Sequence, residues 1–202
     1  MDKGRLFVVS GPSGAGKGTI CQRLVEDTNI ELSVSMTTRN PRPLEVEGIN
    51  YYFVSKEEFL KTIDEDGLLE YAEVYGNYYG TPRKKVMDRL CEGKDVVLEI
   101  DIQGAMKVKQ AYPKGVFIFI LPPSMAELRK RITGRGSESE DAINMRLGET
   151  LKEVSYIDKY DYCVVNGELS EAVERVKAIV KAEHSRVSES IYHLIKKYEE
   201  EI

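Results

Sequence analysis

The sequence predicts an α/β fold centred on a parallel sheet, and two stretches carry that prediction. Near the start, the apolar run "RLFVVS" leads into a glycine-rich loop and then a helical pattern, in the order strand, loop, helix. Further on, "DVVLEID" and "GVFIFIL" read as buried strands separated by "QGAMKVKQAYPK", a stretch long enough for a helix to cross between parallel strands. With 202 residues, 42% of them apolar and 31% charged, the chain can bury a core of its own and reads as one globular domain.

The remaining elements follow in order. After the first helix, expected from about Gly18 to Asp27, "ELSVSMTTR" looks extended and "NPRPLEVEG" is rich in turn formers, before "INYYFVS" resumes strand character. Ser55 followed by Glu58 has the spacing of a capping box, and Phe59, Leu60 and Ile63 supply the packing face of the short helix it starts. "LLEYAEVYGNYYG" alternates apolar and polar residues up to a turn, and Thr81 with Pro82 is expected to cap and begin the helix "PRKKVMDRLCEG". Ser124 and Glu127 repeat the capping spacing. The glycine-rich "TGRGSESED" marks a mobile lid, followed by helix from about Ser139 to Asp158 and a strand at "YDYCVVN". From Ser170 the chain turns helical, with Val173, Val176, Ile179 and Val180 set to dock. Beyond Ser185 a weaker pattern of Val187, Ile191, Leu194 and Ile195 suggests a peripheral helix or a partner surface.

Charge and composition remove several function classes. The 29 basic and 34 acidic residues leave a net charge of −5, so no global field draws the protein to nucleic acid or an acidic membrane. "MDKGR" passes straight into a strand-like run and no stretch of 18 apolar residues follows, so a cytoplasmic protein is expected. Cys21, Cys91 and Cys163 are odd in number, widely spaced and lack a CxxC pattern; free thiols are expected rather than a disulfide or zinc site. His184 and His193 fall in a charged C-terminal helical segment.

The loop "SGPSGAGKGT", Ser10 to Thr19, has the composition of a phosphate cradle. Gly11, Gly14 and Gly16 let the backbone curl so that amides meet phosphate oxygens, and the following helix adds its positive N-terminal end. Lys17 supplies a point charge for the β and γ phosphates of a nucleotide. Gly18 stands where serine or threonine is usual, with Thr19 next, so the loop offers no hydroxyl to Mg²⁺ from the customary position. Magnesium held through water and ATP oxygens remains compatible with it. The departure favours a nucleotide-kinase-like loop over a generic ATPase or GTPase.

Five motifs in order, "GPSGAGKGT", "SVSMTTRNPRPLEVEGINYYFV", "GLLEYAEVYGNYYGTP", "VLEIDIQGA" and "RITGRGSESEDAINMRL", resemble guanylate kinases, and the resemblance runs from Arg5 to about Lys181. It implies the P-loop nucleoside monophosphate kinase fold: core at 1–34, 82–125 and 159–184, a GMP-binding insertion at 35–81, a mobile lid at 126–158 and a peripheral C-terminal helix at 185–202. The implied reaction is phosphoryl transfer from ATP to GMP, with dGMP also accepted and Mg²⁺ as cofactor. ATP and GMP are the expected partners, in a monomer or homodimer.

The resemblance also distributes roles. ATP would lie on Gly11, Pro12, Ser13, Gly14, Ala15, Gly16, Lys17, Gly18 and Thr19, with Asn166 near its adenine, although a cap or turn role suits Asn166 nearly as well. Arg39 and Arg42, with Tyr51 and Tyr79, would take the acceptor phosphate, for which arginine forks and oriented hydroxyls are suited. Ser35, Glu70, Thr81 and Asp101 would read guanine. A carboxylate suits the two donors of the guanine edge, where adenine presents an unprotonated N1. Glu99 and Asp101, two apart on one strand, would organise metal-bound water, with no direct protein ligand assigned. Lys17, Arg39, Arg131, Arg135 and Arg146 would stabilise the transferring group, and Gly134 and Gly136 would let the lid move. Leu44 replaces a glycine common in the family, and Met36 stands at a position that is small or polar in relatives. Tyr75 and Tyr78 are expected to order loops. A non-catalytic binding module of the same fold, or a kinase for another nucleoside monophosphate, are the alternatives; the retained lysine, arginines and Glu70 speak against both.

Overall fold

Five parallel strands in the order β2-β7-β1-β8-β9 form the central sheet of the computed structural model, which describes residues 3–74, 76–133, 140–187 and 189–201. These strands are β1 (Leu6–Ser10), β2 (Glu31–Leu32), β7 (Val96–Glu99), β8 (Val116–Leu121) and β9 (Tyr162–Val165). All five residues of β1 are buried, as a strand covered on both faces requires. Its alternation sends Phe7 and Val9 to one face, against Ile20 and Leu24 of α1 (Lys17–Asp27) and Val173 and Val176 of α7 (Leu169–His184). Leu6 and Val8 go to the other, against Leu90 of α3 (Arg83–Cys91) and Ala105 and Val108 of α4 (Ile102–Ala111). The helix α4 crosses between β7 and β8 as expected, with β1 lying between the two strands it joins.

A second sheet of four strands, β4-β3-β6-β5, stands apart from the first. It is built from β3 (Met36–Thr37), β4 (Tyr52–Phe53), β5 (Leu68–Val74) and β6 (Asn77–Pro82). The extended reading of "ELSVSMTTR" therefore divides: its first two residues join the central sheet beside β7, and Met36–Thr37 joins the second. In the β5–β6 hairpin, Leu68 pairs with Pro82 and Tyr71 with Gly80, so Leu69 and Glu70 together oppose Thr81 in a β-bulge.

Two expectations are corrected here. In α2 (Lys56–Asp64) the Ser55 hydroxyl accepts from the Glu58 amide at 3.1 Å as expected, but only Phe59 of the packing face is buried. Phe59 stacks on Tyr78 at 5.4 Å, while Leu60 stays 40% exposed because the helix lies on the rim of the small sheet. Thr81 does not cap α3: Pro82 is the N-cap residue and no side-chain cap bond forms, since the Thr81 hydroxyl is turned to Glu70.

On the far side, α5 (Met125–Thr133) is capped by Ser124 and packs against α6 (Glu140–Val154) through Leu128, Ile132 and Ile143. The lid connection with Gly134, Arg135 and Gly136 lies outside the described residues, as do Tyr75 and the side chains of Arg146, His193 and Leu194. The C-terminal segment divides into α7 and a separate α8 (Glu189–Glu200), so His184 and His193 sit on different helices. Val173, Val176 and Val180 dock, with Ile179 partly buried, whereas Val187, Ile191 and Ile195 remain exposed. Cys21 is buried and Cys91 and Cys163 are exposed, all as free thiols. Among the described residues no helix is long and apolar enough to cross a membrane.

Candidate active site

The site gathers at the C-terminal ends of the parallel strands, where open α/β sheets leave a crevice. Ser10 ends β1, the loop turns, and α1 starts at Lys17 with Gly16 as its N-cap in the left-handed region, φ 92°. No side chain caps this helix and its first turn holds no acidic residue, so its amides are left for an anion. The Lys17 ammonium folds back and donates to the carbonyls of Gly11 at 2.6 Å and Pro12 at 3.1 Å. Burial lowers its pKa, and Glu99, Glu153 and Asp101 act in the opposite direction.

Asn166 buttresses the loop from below. It follows β9, is buried, and its side-chain amide donates to the Ala15 carbonyl at 2.8 Å. A Cβ on Gly16 would stand 2.4 Å from that same amide nitrogen, so Gly16 is required both by its positive φ and by this contact. The Asn166 carbonyl in turn accepts from Arg131, whose Nε is paired with Glu127 at 3.0 Å. One residue thus joins the phosphate loop to the helix that leads into the lid. With one of its two amide hydrogens engaged on Ala15, Asn166 retains the other hydrogen and its side-chain oxygen.

A cleft of about 300 Å³ brings Ser35, Tyr51, Glu70, Tyr79, Glu99 and Asp101 together on its walls. Beyond the bulge, Glu70 keeps the register of the Tyr71–Gly80 pair and faces Thr81, whose buried hydroxyl donates to Glu70 Oε1 at 2.7 Å. Asp101 is the N-cap of α4 and accepts from the Gly104 amide at 2.7 Å. A Cβ on Gly104 would lie 3.2 Å from Glu70 Oε2 and 3.3 Å from Asp101 Oδ1, so two carboxylates converge over a residue that adds no bulk. Burial raises the pKa of Glu70; the Thr81 hydroxyl lowers it and Asp101 raises it further.

Next to this cleft, Arg39 pairs with Glu45 at 2.8 Å and lies over the Tyr51 ring at 5.5 Å. The second oxygen of Glu45 accepts from the Arg42 amide at 2.7 Å, leaving the exposed Arg42 side chain to solvent. Arg39 and the Arg42 amide hold the Glu45 carboxyl below its usual range. Tyr51 and Tyr79 meet edge to face at 6.0 Å. Glu45 is a site residue that the sequence reading missed, since nothing in a turn-rich loop marks one acid as the partner of two arginines. Glu153 of α6 also went unremarked in the sequence: burial raises its pKa and the Lys17 charge acts in the opposite direction.

Leu44, in this arginine loop, has φ 77° and is 98% exposed, so it bears the strain of a left-handed residue without burying anything. Leu44→Gly should raise stability by about 0.5–1 kcal/mol, the strain relief less the added chain entropy of glycine. Leu44→Ala keeps the Cβ and should gain nothing. Urea unfolding of both variants checks this, and a Leu44→Gly protein less stable than Leu44→Ala would count against the strain.

A phosphate loop on a parallel sheet, a separate small sheet facing it across a cleft, and a helical pair above define the class: the P-loop nucleoside monophosphate kinase fold. The family model described as guanylate kinase matches residues 3–183, and the chain belongs to that family. The guanylate kinase of Clostridium acetobutylicum is 58% identical over 185 residues, covering 92% of this chain and 88% of that protein. That of Clostridium perfringens is 54% identical over 202 residues, covering 100% of this chain and 94% of its own length. Among solved structures, the guanylate kinase of Anaplasma phagocytophilum aligns with a TM-score of 0.72 at 39% identity, over 92% of this chain and 89% of that one.

Proposed function

We propose that this chain transfers the γ-phosphoryl group of ATP to GMP, and also to dGMP, giving ADP and the nucleoside diphosphate. One observation carries the acceptor assignment: Glu70, held by the Thr81 hydroxyl, and Asp101 stand together in a cleft that also contains Glu99, whose charge acts on the phosphate-loop lysine. An oxygen of the GMP phosphate attacks the γ phosphorus directly. A new P–O bond forms as the bond to the bridging oxygen breaks, and that electron pair leaves on the β-phosphate of ADP. No covalent enzyme intermediate is needed, so the protein's task is alignment and charge stabilisation.

In this reading the free amides of α1 and Lys17 hold the donor phosphates, and the acceptor phosphate displaces Glu45 from Arg39 with help from Arg42, Tyr51 and Tyr79. Ser35 meets guanine O6, while the Glu70 carboxylate accepts from N1–H and the exocyclic amine. Arg131, Arg135 and Arg146 complete the charge on lid closure, which also excludes water. Asn166 holds the loop in shape through one amide hydrogen and keeps the other, with its side-chain oxygen, for the adenine end of ATP. Among the described residues no three His, Cys, Asp or Glu side chains gather to cage a metal. What the protein offers beside Lys17 is Glu99, with Asp101 two residues on, a set that fits Mg²⁺ keeping most of its ligands as water and nucleotide oxygens. Glu99 and Asp101 would hold that ion through its water, and the chemistry it would supply is neutralisation of charge on the donor phosphates.

Product-resolved phosphotransfer from Mg²⁺-ATP to GMP, dGMP, AMP and UMP tests the reading. ADP and GDP should appear together with GMP, and far less product with AMP or UMP. Transfer preferring AMP or UMP would overturn the guanine assignment, and no transfer by folded protein would overturn the kinase assignment.

The raised pKa of Glu70 gives a pH signature. Guanine needs the carboxylate, so kcat/KM for GMP should fall toward acid on a limb lying above the ordinary glutamic acid value of 4.5. The Thr81 hydroxyl favours the charged form; its loss in Thr81→Val should move the limb to higher pH. A limb that stays in place in Thr81→Val would remove Glu70 as the titrating group.

A further inference from the structure

We infer that Gly18 and Glu99 are a matched pair, in which the Glu99 carboxylate takes the metal-facing place that a hydroxyl at residue 18 holds in other phosphate loops, and residue 18 is glycine because the carboxylate needs the room. This deepens the phosphotransfer reading above and rests on it.

The glycine itself poses the question. Gly18 is the second residue of α1 and is not among the residues with positive φ, so no backbone demand calls for it. A glycine within a helix costs about 0.5–1 kcal/mol relative to alanine, which points to a reason in packing. A Cβ at that position would stand 3.2 Å from Glu99 Oε1 and 3.4 Å from Oε2, so the whole carboxylate lies across the α-carbon and a serine side chain would have to share its space.

Glu99 is equally marked. It ends β7, one residue past the buried Leu98, and opens into the cleft. The residue as a whole is exposed and its carboxylate accepts no hydrogen bond from any described residue; partial burial raises its pKa, and the Lys17 charge acts in the opposite direction. A carboxylate with open acceptor positions near the phosphate-loop lysine can accept from a metal-bound water where the usual hydroxyl would meet the metal itself, and it adds a negative charge. Length matters as well: aspartate at 99 is one methylene shorter and would withdraw the carboxylate from Gly18. A hydroxyl at 18 with aspartate at 99, or glycine at 18 with glutamate at 99, are the two arrangements that fill the same space with a metal-facing oxygen.

Mn²⁺ serves as the probe, titrated into protein saturated with a non-hydrolysable ATP analogue and followed by the EPR signal of the free ion. Glu99→Gln keeps the shape and should weaken Mn²⁺ retention by about tenfold. Glu99→Asp and Gly18→Ser should each lose about as much, the first by reach and the second by displacing the carboxylate. The double variant Gly18→Ser/Glu99→Asp should return to within about threefold of wild type, a coupling that independent sites would not show. Metal-free binding of the analogue is measured for each variant, so that the Mn²⁺ loss is read relative to it. Unchanged Mn²⁺ retention in Glu99→Gln overturns the inference, as does a double variant whose loss is the product of the single losses. Should Gly18→Ser fail to fold, Glu99→Gln decides alone. Absence of transfer to GMP by the wild-type protein would instead sink the kinase reading, so the two failures are distinguishable.

Discussion

Lys17→Ala should lower kcat for ATP-to-GMP transfer by about 10²–10³-fold, the usual effect of removing one preorganised charge donor from a transition state. Lys17 follows a helix start whose amides bind phosphate as a group, so KM for ATP should change far less than kcat, because those amides remain. Stability should hold or rise. Burial lowers the Lys17 pKa, which means that the folded protein disfavours its charge, and the carbonyls of Gly11 and Pro12 that receive its ammonium can turn to water in an open loop. Steady-state kinetics with separated ADP and GDP, together with thermal unfolding, read both effects. A folded Lys17→Ala protein with wild-type kcat would remove the lysine from the chemistry; one that unfolds early would mean that the ammonium braces the loop.

Glu70→Gln should reduce kcat/KM for GMP by about 10²–10³-fold, the loss expected when two hydrogen bonds to a charged acceptor are replaced by one and an amide donor opposes N1–H. Glutamine retains an oxygen for the Thr81 hydroxyl, so the buried threonine keeps its partner and the hairpin its shape. Adenine presents an unprotonated N1, to which the new amide can donate, and the GMP-to-AMP preference should narrow by more than GMP activity alone falls. Parallel kcat/KM values for the two acceptors measure this. An unchanged ratio would place guanine selection on another residue, with Ser35 and Asp101 next in the same cleft.

How much of this was legible in the sequence depended on how local the physics was. The phosphate loop could be read in full because strand, turn and helix lie within a few tens of residues and each has its own signal. The core faces of β1 and α7 followed from periodicity. The two-residue strands β2 and β3 were not separable, since neither is long enough to carry a period and only their partners assign them to different sheets. Thr81 fits a cap in sequence, but the hydroxyl is drawn to a carboxylate eleven positions earlier, across a hairpin. Leu60 has the right spacing to pack and too little sheet beneath it. Asn166 could be placed near the nucleotide by resemblance, while its bond to Ala15 links positions 151 apart and leaves no trace in either segment.

The bulge in β5 has a consequence for how substrate choice is stored. The extra residue is taken up before Glu70, which keeps the register of the Tyr71–Gly80 pair and so stands opposite the hydroxyl that fixes it. In the proposed reading, acceptor identity is therefore written partly as strand register in one hairpin of the smaller sheet, while the phosphate loop belongs to β1 and α1 of the larger. A single insertion or deletion between Glu70 and Thr81 would part the carboxylate from its hydroxyl and leave the phosphate loop in place, giving evolution and protein engineering a short, separable address for changing specificity.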